Sequence, residues 1–247
     1  MPALKVEGLT FSYGGAPLIS GMSFALLPGD FMCVLGPNGS GKSTLLRLIT
    51  GFQGGASGSV RIGGQEVKGL DPDRLARLLA YVPSETFTPY DFSVREAVLL
   101  GRTARAGLWR CYSAADQEAA DRALEETGIA RLAGRSINTL STGERQLAFI
   151  AQALAQETGV LLLDEPTSHL DLRYKAAVLD LLKRLTVRGM AVAAVLHEPA
   201  LARLGCNKAL LFRGGGGYSF GSAAEMLSPG ALAAVYGIPP ESPLIPR

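Results

Sequence analysis

An α/β fold around a buried parallel sheet is predicted by three stretches of this sequence. Val160–Leu163 (VLLL) is a short all-apolar run ending in Asp164-Glu165, the pattern of a strand covered on both faces. MAVAAVLH (190–197) repeats that pattern after VLDLLKRLTVRG (178–189), whose apolar positions follow the helical period. Phe31–Leu35 is a third such run, and it leads into the glycine-rich segment Gly36-Pro-Asn-Gly-Ser-Gly-Lys-Ser-Thr44 and then a helical stretch. Strands alternating with helices build a sheet whose ligands bind at the C-terminal ends of its strands.

In chain order, LKVEGLTFSY, MSFALLP and DFMCVLG read as short β-rich pieces that start the fold at the N-terminus. The segment from Gly36 to Thr44 then fits the phosphate-binding pattern G-x-x-x-x-G-K-[ST] at every fixed position. Gly36, Gly39 and Gly41 let the backbone N–H groups near Asn38 and Ser40 turn inward around a phosphate. The helix expected to begin near Lys42, with the helical run Ser43–Thr50, adds the positive end of its dipole. Lys42 supplies the charge that reaches the β- and γ-phosphates, and Ser43 offers a hydroxyl to Mg²⁺. A glycine-rich turn without this role would not need the strand before it and the helix after it.

SVRIGG (59–64) and Ala80–Val82 read as further strands. From about Thr86 to Leu140 the pattern changes to helices, in SVREAVLLG (93–101) and SAADQEAADRALEETGI (113–129), as an inserted helical subdomain would. Beyond it, Asp164 at a strand end is the acidic partner of Ser43 for Mg²⁺, and Glu165 is placed to polarise a water. The blander reading of this pair is the start of a loop. Gly214–Gly217, between Phe212 and Tyr218, reads as a hairpin turn.

Composition narrows the class. With 247 residues and 47% apolar side chains, one α/β domain with an insertion buries its core better than two independent domains. The 24 basic and 22 acidic residues leave a net charge of +2, which gives no sign of nucleic acid as a partner. No run of about 18 consecutive apolar residues occurs, and MPALKVEGLTF lacks the zones of a signal peptide, so a membrane span would have to come from another chain. Cys33, Cys111 and Cys206 have neither C-x-x-C spacing nor a nearby histidine, which suits reduced thiols in a cytosol.

This layout and its motifs resemble the ATP-binding-cassette (ABC) ATPases, from about Leu4 to at least Phe220. The resemblance implies a P-loop NTPase fold of the α/β class with an N-terminal antiparallel β subdomain and an inserted helical subdomain. A single ABC ATPase domain would then divide into a nucleotide-binding core at 1–85 and 141–221, a helical subdomain at 86–140 and a C-terminal extension at 222–247. ATP and Mg²⁺ are the implied cofactors, and ATP hydrolysis is the implied activity. In the family, ATP lies between two copies, the P-loop of one facing the LSGGQ-type signature of the other. Here the signature reads Leu140-Ser-Thr-Gly-Glu144. Ser141, Thr142 and Gly143 open a helix and can present a hydroxyl and N–H groups to a γ-phosphate, with Glu144 completing a capping box. An ordinary N-cap would look the same, and both readings hold at once if the cap faces a dimer surface.

Other family positions carry over residue by residue. Tyr13, in FSYGG, matches the aromatic that stacks on adenine. Ser168–Asp171 (SHLD) matches the loop that communicates across the dimer, and His197 the switch histidine that contacts the γ-phosphate and the attacking water. With Lys42 and Glu165, His197 makes up the implied catalytic set; Ser43, Asp164 and Ser84 are the implied metal set. The sequence departs from the pattern at Ser84, where the family has a glutamine that touches Mg²⁺ and water. A serine is too short for the same gap and needs a bridging water or the neighbouring Glu85. Thr142 replaces the middle glycine of the signature, which a helical N1 position accepts and a positive φ would not. Leu147 and Gln152 stand where basic residues are common.

Within the family, DFSVREAVLLGR (91–102) and LAAVYGIPP (232–240) look like the ATPases of importers for iron–siderophore, haem or cobalamin chelates, with metal or oxyanion uptake the nearest variant. That resemblance implies a second copy of the chain and polytopic permease subunits as partners, and a substrate-binding protein reached through them. Its place is then peripheral, on the cytoplasmic face of the cell membrane. Two other classes stay open: a non-transport ABC ATPase serving cluster assembly or DNA repair, and a dimerising nucleotide switch with little turnover. DNA work usually calls for a long coiled-coil insertion or a basic stripe, and neither is seen.

Overall fold

The structure is a computed structural model that describes residues 1–85, 88–106 and 111–245. Thr86, the expected start of the helical subdomain, lies outside the described residues, as do residues 107–110 within that segment and the last two residues of the C-terminal extension.

The chain begins with strands β1 (Leu4–Phe11), β2 (Ile19–Leu26) and β3 (Phe31–Leu35), followed by helix α1 (Lys42–Ile49). Strands β4 (Ser57–Ile62) and β5 (Gln65–Glu66), helix α2 (Pro72–Ala76) and strand β6 (Leu79–Val82) come next. Helices α3 (Val94–Leu99), α4 (Thr103–Ala106), α5 (Ala114–Glu126) and α6 (Thr142–Ala155) lead to β7 (Val160–Leu163), α7 (Leu172–Val187) and β8 (Ala191–Val195). The chain closes with α8 (Pro199–Gly205), β9 (Lys208–Phe212), β10 (Tyr218–Ser222), α9 (Ala223–Met226) and α10 (Pro229–Tyr236).

The expected N-terminal antiparallel β unit is present as a four-stranded sheet in the order β2-β1-β4-β5. A six-stranded sheet in the order β10-β9-β3-β8-β7-β6 forms the centre, parallel throughout except for the β9–β10 hairpin. Period-2 alternation sends each central strand to two cores. Met32 and Val34 pack toward the N-terminal sheet and α1, whereas Phe31, Cys33 and Leu35 join the cluster that contains residues of α3, α5, α6 and α7. Every residue of β3, β7 and β8 is buried, so both faces of the sheet are covered.

Helix starts follow local chemistry. Ser93, Ser113 and Ser141 each close a reciprocal capping box with the acidic residue three positions on. Asp71, Asp171, Ser222 and Ser228 cap their helices through a side-chain oxygen. The helix expected at 178–189 begins six residues earlier because Asp171 caps it, and Val178, Leu179, Leu181, Leu182 and Leu185 form its buried stripe.

The helix after the phosphate-binding segment begins at Lys42, as expected, with Gly41 as its N-cap at φ 106°. Two expectations shift in detail. Strand β10 includes Ser222, which was expected to open the C-terminal extension; its pairing with Lys208 keeps it in the sheet. Among the described residues between 88 and 140, α3 and α4 are short and 3₁₀ turns follow α3 and α5, whereas α5 runs 13 residues, so that segment is less uniformly helical than its pattern suggested.

Candidate active site

The strand order places the ends of β3, β8 and β7 side by side, and the loops that follow them carry the chemistry. The loop after β3 needs glycine for two separate reasons. At Gly36 a Cβ would lie 2.8 Å from the Phe212 Cβ and 3.0 Å from its carbonyl oxygen; at Gly41, φ is +106° and a Cβ would meet Leu18 at 3.0 Å. The loop thus wraps tightly over β9 and delivers its last residue to the start of α1.

Lys42 is buried, and its Nζ donates to the carbonyl oxygens of Gly36 and Pro37, both at 2.9 Å. The ammonium therefore sits across the mouth of its own loop. Burial pulls its pKa below the usual lysine value, and the nearby Glu165 and Asp164 carboxylates oppose that shift.

Ser43 donates to Asp164 Oδ1 at 3.0 Å, across 121 positions of sequence. Asp164 is 1% exposed, and among the described residues its Oδ2 has no hydrogen-bond partner, although the Tyr81 phenol lies near enough to feel its charge. Burial pushes the Asp164 carboxyl above the usual carboxylate range; the Ser43 hydroxyl opposes this and the Glu165 charge reinforces it. An unpaired buried carboxylate oxygen is costly, and a hydroxyl beside it completes a pair of hard oxygen donors. Such a pair fits Mg²⁺.

Glu165, the next residue, holds φ at +53°, a strained value for a side chain of this size. Its Oε1 lies 2.7 Å from His197 Nε2 and its Oε2 accepts from the Ser168 hydroxyl at 3.1 Å. Burial alone would raise its pKa, but the His197 hydrogen bond and charge, with help from Ser168 and Lys42, hold it below the usual glutamate value. Both carboxylate oxygens are thus fixed in direction. His197 sits two residues past the end of β8, the strand that pairs with β7.

Tyr13, Asn38, Gly39, Gly41, Lys42, Ser43, Thr44, Glu165 and His197, with Leu18, line one open cavity of about 570 Å³. Tyr13 is 65% exposed; its ring packs edge-on against Phe11 at 4.7 Å, and its hydroxyl lies 3.4 Å from Thr44 Oγ1. Gly36 and Ser40 are buried and do not line the cavity. Ser84 is exposed two residues beyond β6 and does not line the cavity.

Ser141, Thr142, Gly143 and Glu144 do not line it either. They form the first turn of α6, where Glu144 Oε2 accepts from the Ser141 N–H and hydroxyl, both at 3.1 Å, and Arg131 reaches Glu144 at 3.6 Å. Thr142 takes the N1 position, which explains why it replaces a glycine without strain. Ser141 and Thr142 are exposed, while Gly143 is buried against the Tyr174 ring, which a Cβ would approach to 2.3 Å.

Sequence reasoning missed the Ser168 contact to Glu165, the Tyr174–Gly143 packing, and an ion pair between Lys175 and Glu198. Only Glu198 carried a signal, through its position directly after His197.

Comparison with known proteins adds to this geometry. Residues 19–168 match the ABC transporter family model. The chain is 40% identical over 86% of its length to an uncharacterised ABC transporter ATP-binding protein of Bacillus subtilis, but spans only 48% of that relative. It is 35% identical to the ferric enterobactin transport ATP-binding protein of Escherichia coli, covering 95% of this chain and 87% of that one. Further relatives carry the names of hemin import and cobalamin import ATP-binding proteins. Among solved structures, a proposed metal-chelate-type ABC transporter in an inward-facing conformation superimposes with a TM-score of 0.87 at 34% identity, covering 97% of this chain and 90% of that one. With its phosphate-binding loop, Glu165 and the strand-end histidine around one cavity and Asp164 bonded to Ser43 in its wall, this chain belongs to the ABC transporter family, as one of its ATP-binding and ATP-hydrolysing subunits.

Proposed function

We propose that this ATPase powers an importer of metal chelates, of the iron–siderophore, haem or cobalamin kind, by closing and reopening a dimer of itself around ATP. One observation carries the mechanism: Lys42, the Ser43–Asp164 pair and the Glu165–His197 pair converge at the ends of three adjacent parallel strands. The names of the relatives, and the likeness to a metal-chelate-type transporter, support the choice of cargo.

In this reading the backbone of residues 36–41 cradles the β-phosphate, Lys42 turns from its loop carbonyls to the γ-phosphate, and Tyr13 stacks on the base. Ser43 and Asp164 hold Mg²⁺, which supplies charge neutralisation on the phosphates. Glu165 stays ionised at neutral pH, so it orients and polarises the attacking water rather than acting as a strong base. His197 fixes the direction of that carboxylate and faces the cavity beside it. The exposed Ser141–Thr142 turn binds the γ-phosphate held by the other copy. Ser84 is read as a metal contact only through a bridging water.

One domain, with its core at 1–85 and 141–221, a helical subdomain at 86–140 and an extension at 222–247 whose first residue still pairs in β10, is consistent with this arrangement. A groove of about 1120 Å³, lined by Phe52, Val67, Leu75, Pro83, Leu100 and Ala104 among others, lies beside the loop that holds Ser84. We assign it to a short cytoplasmic helix of a permease. Among the described residues no helix is long and apolar enough to cross a membrane, so the span and the contact to a substrate-binding protein fall to that permease. Co-purification from a native membrane tests the assignment. A polytopic membrane protein that stimulates ATP hydrolysis supports it, and a soluble partner alone rules out the importer.

A further inference from the structure

The first turn of α7 carries two neighbouring side chains that reach two parts of the proposed mechanism. The Tyr174 ring packs so closely on Gly143 that a Cβ there would lie 2.3 Å from it, which seats α7 against the first turn of α6. Lys175, the next residue, ion-pairs with Glu198, the residue directly after His197. The Lys175 side chain is 21% exposed and that of Glu198 51%, so the pair is half-buried, and the Lys175 backbone is held in the first turn of α7 by its N–H bond to Asp171 O at 3.0 Å.

His197 lies next to this contact in the chain. The chain leaves the sheet after the Leu196 N–H bonds Val34 O at 3.1 Å, and regular structure resumes at α8. His197 and Glu198 form the link between them. The Glu198 side chain does not cap α8, so its carboxylate is directed to Lys175 instead.

We propose that Lys175 is a positioning residue for ATP hydrolysis. Its ion pair with Glu198 holds the 197–198 link so that His197 Nε2 stays against Glu165 Oε1. Because Tyr174 shares its turn, the same rigid element also seats the signature helix at Gly143. A geometric hold of this kind acts on the reacting arrangement more than on nucleotide binding, since an error of about 1 Å in a catalytic group costs turnover steeply. The inference rests on the reading that Glu165 and His197 carry hydrolysis.

Steady-state ATPase kinetics of the full chain test it with K175M, K175R, K175E, E198K, the K175E/E198K double variant, and H197A as the reference. The expected result is an inactive H197A and a K175M variant with kcat reduced about 10-fold and KM for ATP within about two-fold of the parent. K175R keeps most of the turnover, and the double variant exceeds both charge-reversed single variants. If H197A is inactive but K175M turns over within about two-fold of the parent, the positioning role is overturned. A double variant no better than its singles overturns it equally. An H197A variant with full turnover overturns instead the catalytic reading on which the proposal rests.

Discussion

His197 Nε2 and Glu165 Oε1 stand 2.7 Å apart at the ends of two neighbouring parallel strands, and the Ser168 hydroxyl holds the other Glu165 oxygen. The carboxylate is thereby fixed in direction beside the cavity that Lys42 and Ser43 also line. Glu165→Gln keeps the shape and loses the charge. ATP binding is expected to stay within a few-fold of the parent while turnover falls by about 100-fold or more. Nucleotide-binding titrations beside single-turnover hydrolysis measure the two separately, and unchanged turnover removes Glu165 from the mechanism.

Asp164 shows a conflict between stability and function. Its buried Oδ2 has no partner among the described residues, and burial raises its pKa, so the folded protein carries the cost of a charged carboxylate at neutral pH. Asp164→Asn is expected to raise the melting temperature of the nucleotide-free chain by about 2–4 °C, as a gain on the order of 1 kcal/mol does in a chain of this size. Mg²⁺-dependent ATPase activity should be lost in the same variant. Thermal scans with and without Mg²⁺-ATP check both effects, and the parent should gain more from the ligand than the variant.

Gly143 is required by packing rather than by its backbone angles, because the Tyr174 ring occupies the space of a Cβ. Gly143→Ala is expected to destabilise the chain by about 1–3 kcal/mol, the usual cost of overpacking a filled site. Shortening the partner in Gly143→Ala/Tyr174→Ala should recover part of that loss, so the coupling in a double-mutant cycle is favourable. Additive effects would show that the ring can move aside freely.

Ser84 is exposed two residues beyond β6 and outside the cavity, and a glutamine there would extend further from the backbone. Ser84→Gln is expected to raise the basal ATPase rate or its stimulation by the permease, by about two-fold or more. Parallel rates for the chain alone and for the permease complex check this. Equal values in both would make the departure at Ser84 neutral.

Asp116 gives the fold a dependence on pH. The Ser113 hydroxyl first, then the Arg102 guanidinium at 2.9 Å, hold its carboxyl down to about 2 from an ordinary 3.8. A depressed carboxylate stabilises the folded state above its unfolded pKa, and that share is lost as the pH falls through its folded value. Asp116→Asn should therefore lower the melting temperature most at pH 5–7. The gap to the parent should narrow from about pH 4 and close near pH 2. A gap independent of pH would show that shape rather than charge carries the contact.

The phosphate-binding loop was legible because its chemistry is local: one strand, nine residues and one helix define it. The capping box at Ser141 and Glu144 was legible for the same reason, since its partners are three positions apart. The role of Ser84 was less so. A missing side chain could be noticed in the sequence, but what lies within reach of the serine depends on where β6 ends relative to its neighbours.

The sequence by itself determined the strands, the nucleotide loop, the acidic pair and the strand-end histidine, because periodicity and short motifs are encoded by adjacent residues. Tertiary structure decided the rest. The strand order β3-β8-β7 brings Ser43 to Asp164 and Glu165 to His197, and the register of α7 brings Tyr174 to Gly143 and Lys175 to Glu198. These pairs are separated by 23 to 121 positions. No local pattern sets such distances; they follow from how two faces of one sheet are buried at once.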